Sequence, residues 1–184
     1  MNVWPALLVF PCLVFGQEGG RLAFAGDQLG MTLASFKQKY PHCSVEPFKG
    51  IGLVARQETI QPRLAFKNPL PTPAGKVAEQ AYFFTLSPNG DDKARLYSIL
   101  MPFNASEYPR FKKTFTQKYG NPLTTEINTM RNTAGSSFET ETVTWKMGTS
   151  RVILRQRATR TDKGMIDFLD EEIQGSLALA SPEK

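Results

Sequence analysis

The residue types that could do chemistry are few in this chain of 184 residues, which carries one histidine and two cysteines. His42 stands between Pro41, which stops a helical segment, and Cys43. Acid–base work by a histidine needs a second group to orient the ring, and a zinc site needs three or four ligands. Neither set is visible around His42, so it reads as a turn residue. Asp91-Asp92 follows Asn89-Gly90, a setting in which carboxylates ordinarily form turns. Gly50-Ile51-Gly52-Leu53-Val54-Ala55 has the spelling of a dinucleotide-binding loop, whose glycines let the backbone approach a pyrophosphate at the start of a helix. The context fails, because Pro62 follows before a helix could develop and no long apolar strand precedes Gly50. No Gly-x-Ser-x-Gly nucleophile elbow occurs. Asn104-Ala105-Ser106 spells a glycosylation acceptor, yet a helix-cap role already accounts for Asn104. These residues predict no enzyme, no cofactor and no metal. An enzyme of unrecognised type would have to use Asp91, Asp92 or His42.

The chemistry that remains is cationic. The chain is basic, with a formal charge of +5 and a pI near 9.3. Between Ala105 and Gly164 eleven Lys and Arg stand against five Asp and Glu, so the excess sits in the second half. Over Arg151 to Arg157 an alternation of period two sends Val152 and Leu154 inward and Arg151, Ile153, Arg155 and Arg157 outward. Arg160 and Lys163 extend the run. On the preceding strand Val143, Trp145 and Met147 point one way, and Thr142, Thr144 and Lys146 the other. Lys146, Arg151, Ile153, Arg155, Arg157 and Arg160 are therefore the candidate partner-binding residues. A guanidinium offers a carboxylate or phosphate planar, bidentate contacts that an ammonium does not. The plainer reading is a solvated sheet face whose charges resist aggregation.

Two helices would position these strands. Thr32 caps the first, with Leu33, Phe36 and Tyr40 on its apolar face. Asn104 and Glu107 have the spacing of a capping box for the second, in which Tyr108, Phe111, Phe115 and Tyr119 recur every three or four residues until Gly120 and Pro122. Ser35-Phe36-Lys37-Gln38-Lys39-Tyr40-Pro41 matches Thr114-Phe115-Thr116-Gln117-Lys118-Tyr119-Gly120 at an offset of 79 residues, sharing Phe, Gln, Lys and Tyr. Strand-like runs follow the first helix at Ser44 to Phe48, Gly52 to Arg56 and Arg63 to Phe66. After a loop bearing Pro69, Pro71 and Pro73, a hairpin of Ala81 to Leu86 and Arg95 to Met101 turns through Pro88-Asn89-Gly90-Asp91. The second helix precedes Leu123 to Thr129, Phe138 to Met147, Arg151 to Arg157 and Met165 to Leu169. The expected fold class is α+β, with two similar helix-plus-antiparallel-sheet halves in one compact unit: residues 17–103 and 104–175, followed by a flexible tail at 176–184.

Residues 1–16 predict the compartment. Val3 to Phe15 is almost continuously apolar, too short at thirteen residues for a hydrocarbon core that needs roughly twenty. With Val14 and Gly16 at the small-residue positions, it reads as a signal peptide cut after Gly16, although no Lys or Arg stands near Met1. Cys12 lacks a lipoprotein box, since Val9, Phe10 and Pro11 precede it. Removal of this segment leaves Cys43 as the one cysteine, so stability must come from packing without an internal disulfide. The expected location is periplasmic or secreted, with no transmembrane span.

With these elements in place, the pattern resembles exported bacterial proteins built from a helix and a four-stranded sheet, as in β-lactamase-inhibitor-like proteins and the small outer-membrane assembly lipoproteins. The residues that carry the resemblance are Gln28-Leu29-Gly30-Met31-Thr32 before the first helix and Phe115 through Lys118-Tyr119-Gly120-Asn121-Pro122 at the end of the second. The strands of Trp145 and of Val152-Ile153-Leu154 complete it, over Ala25 to Leu169. The resemblance implies a periplasmic protein that works by protein contact without a cofactor, as an inhibitor or an assembly accessory. The absent lipoprotein box is a departure from the lipoproteins. The expected partner is thus another protein of the cell envelope. An anionic surface such as lipid headgroups or lipopolysaccharide is the alternative. Nucleic acid is disfavoured by the export signal and by the lack of an aromatic platform beside the basic strand.

Overall fold

Thr32 opens helix α1 (Leu33–Lys39) as expected, its side-chain oxygen accepting from the Ser35 amide at 3.0 Å. The helix ends at Tyr40, whose amide donates to Phe36 O. The computed structural model to which it belongs describes residues 17–18, 20–24, 26–48, 52–56, 80–85, 90–132 and 134–180. The expected signal segment 1–16, the expected strand Arg63 to Phe66 and the proline-rich loop lie outside them.

The second helix corrects an expectation. Helix α2 (Tyr108–Tyr119) is entered through a 3-10 turn at Ala105–Glu107, and Asn104 makes no side-chain cap. Asn104 is still paired in the sheet opposite Lys163, so its side-chain oxygen accepts from Lys163 Nζ at 2.7 Å. Glu107 turns to Arg110, 3.4 Å away, and not back to the cap. At the other end Gly120 adopts a φ of 80° and its amide donates to Thr116 O, the stop expected from glycine.

Three short strands, β1 (Gln17–Glu18), β2 (Arg21–Phe24) and β3 (Asp27–Gln28), form a small meander. The main sheet is antiparallel and has eight strands: β4 (Ser44–Phe48), β5 (Gly52–Arg56), β6 (Ala81–Thr85), β7 (Leu96–Asn104), β8 (Thr124–Arg131), β9 (Ser137–Met147), β10 (Ser150–Arg160) and β11 (Lys163–Asp170). Their order is β4-β5-β6-β7-β11-β10-β9-β8. Among the described residues each of α1 and α2 is followed by four strands laid down from an outer edge to the centre, where β7 and β11 pair from Asn104–Lys163 to Ser98–Leu169. The sheet therefore runs unbroken across the boundary expected near residue 103. The glycine-bearing run Gly52 to Ala55 lies within β5, paired on both sides.

Both helices and β2 bury their apolar side chains against one face of this sheet. Phe36 of α1 meets Tyr82 and Phe84 of β6, and Phe115 of α2 meets Trp145 of β9 and Phe168 of β11. Phe24 stacks on Phe168 at 4.6 Å, which ties the small meander to the same core. Trp145 Nε1 donates to Gly120 O at 3.1 Å and so fixes the end of α2 over β9. Gly164 of β11 leaves room for the Phe103 ring, which stands where a Cβ would be.

The expected tail at 176–184 is corrected in part. Glu171–Ala180 forms helix α3, starting directly from β11. Asp170 supplies the cap, its carboxylate accepting from the Ile173 amide at 3.0 Å, and two acids occupy the first turn, where the helix dipole favours them. Residues 181–184 lie outside the described chain.

Candidate functional site

Alternation along the strands that fill the core leaves a second, outer face. Strand register sets Phe83, Ser98, Leu169, Arg151 and Lys146 in one row across it. The next row holds Ala81, Leu100, Asp167, Ile153 and Thr144, and a third holds Pro102, Met165, Arg155 and Thr142. A register shift at Phe83/Phe84 inserts Tyr97 as an extra residue in β7, with its ring 6.3 Å from that of Phe83. Helix α3 lies against β7, β10 and β11.

The predicted binding residues fall into two groups on this frame. Lys146 Nζ is 3.1 Å from Glu171 of α3, and Arg151 forms an ion pair with the same carboxylate. The chain's own helix thus gathers these two cations from neighbouring strands. Ile153 is half-buried between Asp167 and Thr144, and Arg155 lies one row further on. Beyond Arg155 the pairing of β10 with β11 loses register, so the regular outward row stops there. Arg157 is held over the Phe138 ring, 5.3 Å from its centre, and donates to Thr161 O. Arg160 pairs with Asp162 in the adjoining turn at 3.0 Å.

Three residues that alternation did not single out complete the site: Glu171, Asp167 and Ser98. Ser98 Oγ donates to the Asp167 carboxylate at 2.8 Å. Burial pushes the Asp167 carboxyl above the usual carboxylate range, although the Ser98 hydrogen bond and the Arg155 charge both pull it down. A carboxyl whose folded pKa is raised gives stability that is present at acid pH and lost as pH rises through that pKa. Asp167 therefore costs stability at neutral pH. Asp167→Asn should be more stable than the parent in urea unfolding at about pH 7, and the difference should vanish below the ordinary carboxylate pKa, near about pH 3. An equal gain at both pH values would mean that ionisation is not what the substitution relieves. The local sequence signal for Glu171 was its place with Glu172 just after a strand and ahead of Ile173 and Leu177, four residues apart.

Of the remaining candidates, Cys43 and Asp91 both lie near Lys37 of α1. His42 is exposed, and Cys43 has a free thiol packed against the core, its pKa raised by burial. Asp91 pairs with Lys37 of α1 at 2.5 Å and its carbonyl accepts from the Ala34 amide, while Asp92 is exposed in the same turn. Among the described residues no group of three or more His, Cys, Asp or Glu side chains is placed to hold a metal ion. No helix among them is long and apolar enough to cross a membrane. Comparison with family models, with curated proteins and with solved structures found no match for this chain.

Proposed function

We propose that this chain is an exported, non-enzymatic binding protein, built from two like helix-plus-sheet halves, whose outer sheet face contacts an acidic surface of another envelope protein. The observation that carries the reading is the set of cations held on that face by the fold. Lys146 and Arg151 share Glu171, and Arg155 stands beside Asp167. Side chains held on paired strands lose little further freedom on binding, and this preorganisation favours recognition of a carboxylate-rich partner. The export part rests on the apolar segment Val3 to Phe15 ahead of Gly16. The reading of like halves rests on the two helices, with their shared Phe, Gln, Lys and Tyr, each leading into four strands that run from edge to centre. An inhibitor or an assembly accessory is the role that fits a protein of this build.

The test is affinity capture from a bacterial envelope fraction with the parent chain and with Arg151→Ala/Arg155→Ala. The parent is expected to retain a defined protein, and the double variant to bind it roughly tenfold more weakly or worse. Capture unaffected by the double variant would remove the outer face as the contact. The basic excess between Ala105 and Gly164 favours one second reading, an anionic lipid surface. Binding to anionic vesicles that falls steeply with salt would select it over the protein partner.

A further inference from the structure

We propose that β8, an edge strand of the sheet among the described residues, is a contact for a second copy of this chain, joining two eight-stranded sheets edge to edge. The two edges of the sheet are unlike. β4 has five residues and carries Pro47, which lacks the amide that an added strand would use. β8 has eight residues, no proline and no lysine, and it pairs with β9 from Thr124 to Arg131 without a register shift. Every residue of β8 except Met130 is exposed. Ile127, 69% exposed, and Leu123, 56% exposed, are the exposed large hydrophobic side chains among the described residues. A long, regular edge of this kind is a template for another strand.

The sequence of β8 complements itself. A two-fold axis normal to the sheet keeps each side chain on its own face, so only residues an even number apart can stand opposite each other in the two copies. Centred on Ile127, the pairing sets Ile127 against Ile127 of the second copy, Thr125 against Thr129, Glu126 against Asn128 and Thr124 against Met130. Apolar pairs and threonine pairs across strands stabilise an antiparallel ladder, and no like charges meet. Centring on Glu126 would oppose two carboxylates. Centring on Asn128 would set Glu126 against Met130, and centring on Thr129 would shorten the ladder to residues 127–131. The Ile127 register is therefore the one that this strand favours.

Sedimentation velocity of the full chain from about 1 µM to about 500 µM should show monomer passing to dimer by mass action. Ile127→Asp and Ile127→Lys should each raise the dissociation constant about tenfold or more, because each sets like charges face to face. Mixing the two variants should restore the dimer as a heterodimer. Since Ile127 is exposed in the monomer, tryptophan fluorescence and the melting temperature, taken at a concentration where the parent is monomeric, should match the parent in both. His42→Asp, beside the other edge, should leave the dimer unchanged. A monomer at every concentration would overturn the proposal. So would an Ile127→Asp dimer as tight as the parent's, a failure of the mixed variants to recover, or a dimer lost with His42→Asp alone. No envelope partner is in the cell, so either result leaves the outer-face reading to its own test.

Discussion

Phe115→Ala should remove about 3–5 kcal/mol of folding stability, on the order of the cost measured for emptying a buried phenylalanine site. The ring is where α2 meets the sheet. It packs edge-on to Trp145 of β9 at 5.7 Å and to Phe168 of β11 at 6.2 Å, and Phe111 and Tyr119 flank it along the helix. Phe168 in turn stacks on Phe24, so the cavity would loosen the contact of helix, sheet and N-terminal meander together. A domain of ordinary stability has about 5–15 kcal/mol in all, so a loss of this size leaves the variant marginal. The measurement is urea unfolding followed by tryptophan fluorescence, in which Trp145 reports from the edge of the cavity itself. Phe115→Leu, which fills part of the space, should lose less than half as much. A loss under about 1 kcal/mol for Phe115→Ala would mean that α2 is held to the sheet by something other than this ring.

Asp27→Ala should cost about as much for a different reason. Asp27 is fully buried on β3, and its carboxylate accepts from Lys39 Nζ at 2.6 Å, from Tyr40 Oη at 2.9 and 3.1 Å and from Tyr82 Oη at 3.1 Å. One side chain thus joins the meander, α1 and β6. The Tyr40 and Tyr82 hydroxyls are pushed well above the usual tyrosine range, first by burial and then by the Asp27 charge, so both stay protonated and donate. Removing the acceptor strands these two hydroxyl donors in the core, and each unsatisfied buried donor costs about 1–3 kcal/mol. Gln80 Oε1, 2.8 Å from the Tyr82 hydroxyl, is a second acceptor for its one proton, which softens the loss at that end. Asp27→Ala placed in a Tyr40→Phe/Tyr82→Phe background should cost much less than in the parent, because fewer donors are then stranded. Equal costs in the two backgrounds, measured by urea unfolding, would show that the hydroxyls do not depend on Asp27.

Neither the Asp27 cluster nor the Asp167 pair was legible in the sequence. Nothing near Asp27 in the chain distinguishes it from any other turn acid, since Tyr82 is 55 residues away. The outward row of arginines was legible as far as Arg155, because period two holds while β10 stays in register. It failed at Arg157, where register is lost and the side chain turns to Phe138 and Thr161. Asn104 shows the same limit. Its spacing to Glu107 matches a helix cap, but a neighbouring strand supplies Lys163 as a competing donor.

What the sequence determined by itself is what depends on a few consecutive residues. Thr32 starts α1, four aromatic rings at helical spacing make one side of α2, and Gly120 ends it. β4 and β5 begin and end where their residues predict. Only the tertiary structure decided that β7 lies beside β11, that Glu171 holds Lys146 and Arg151, that the chain after Asp170 is a helix, and that β8 is left at an open edge. The physical reason is range. Capping, periodicity and turn chemistry are satisfied within one or two turns of chain, whereas a charge or a strand edge takes its partner from whatever the closed fold brings to it.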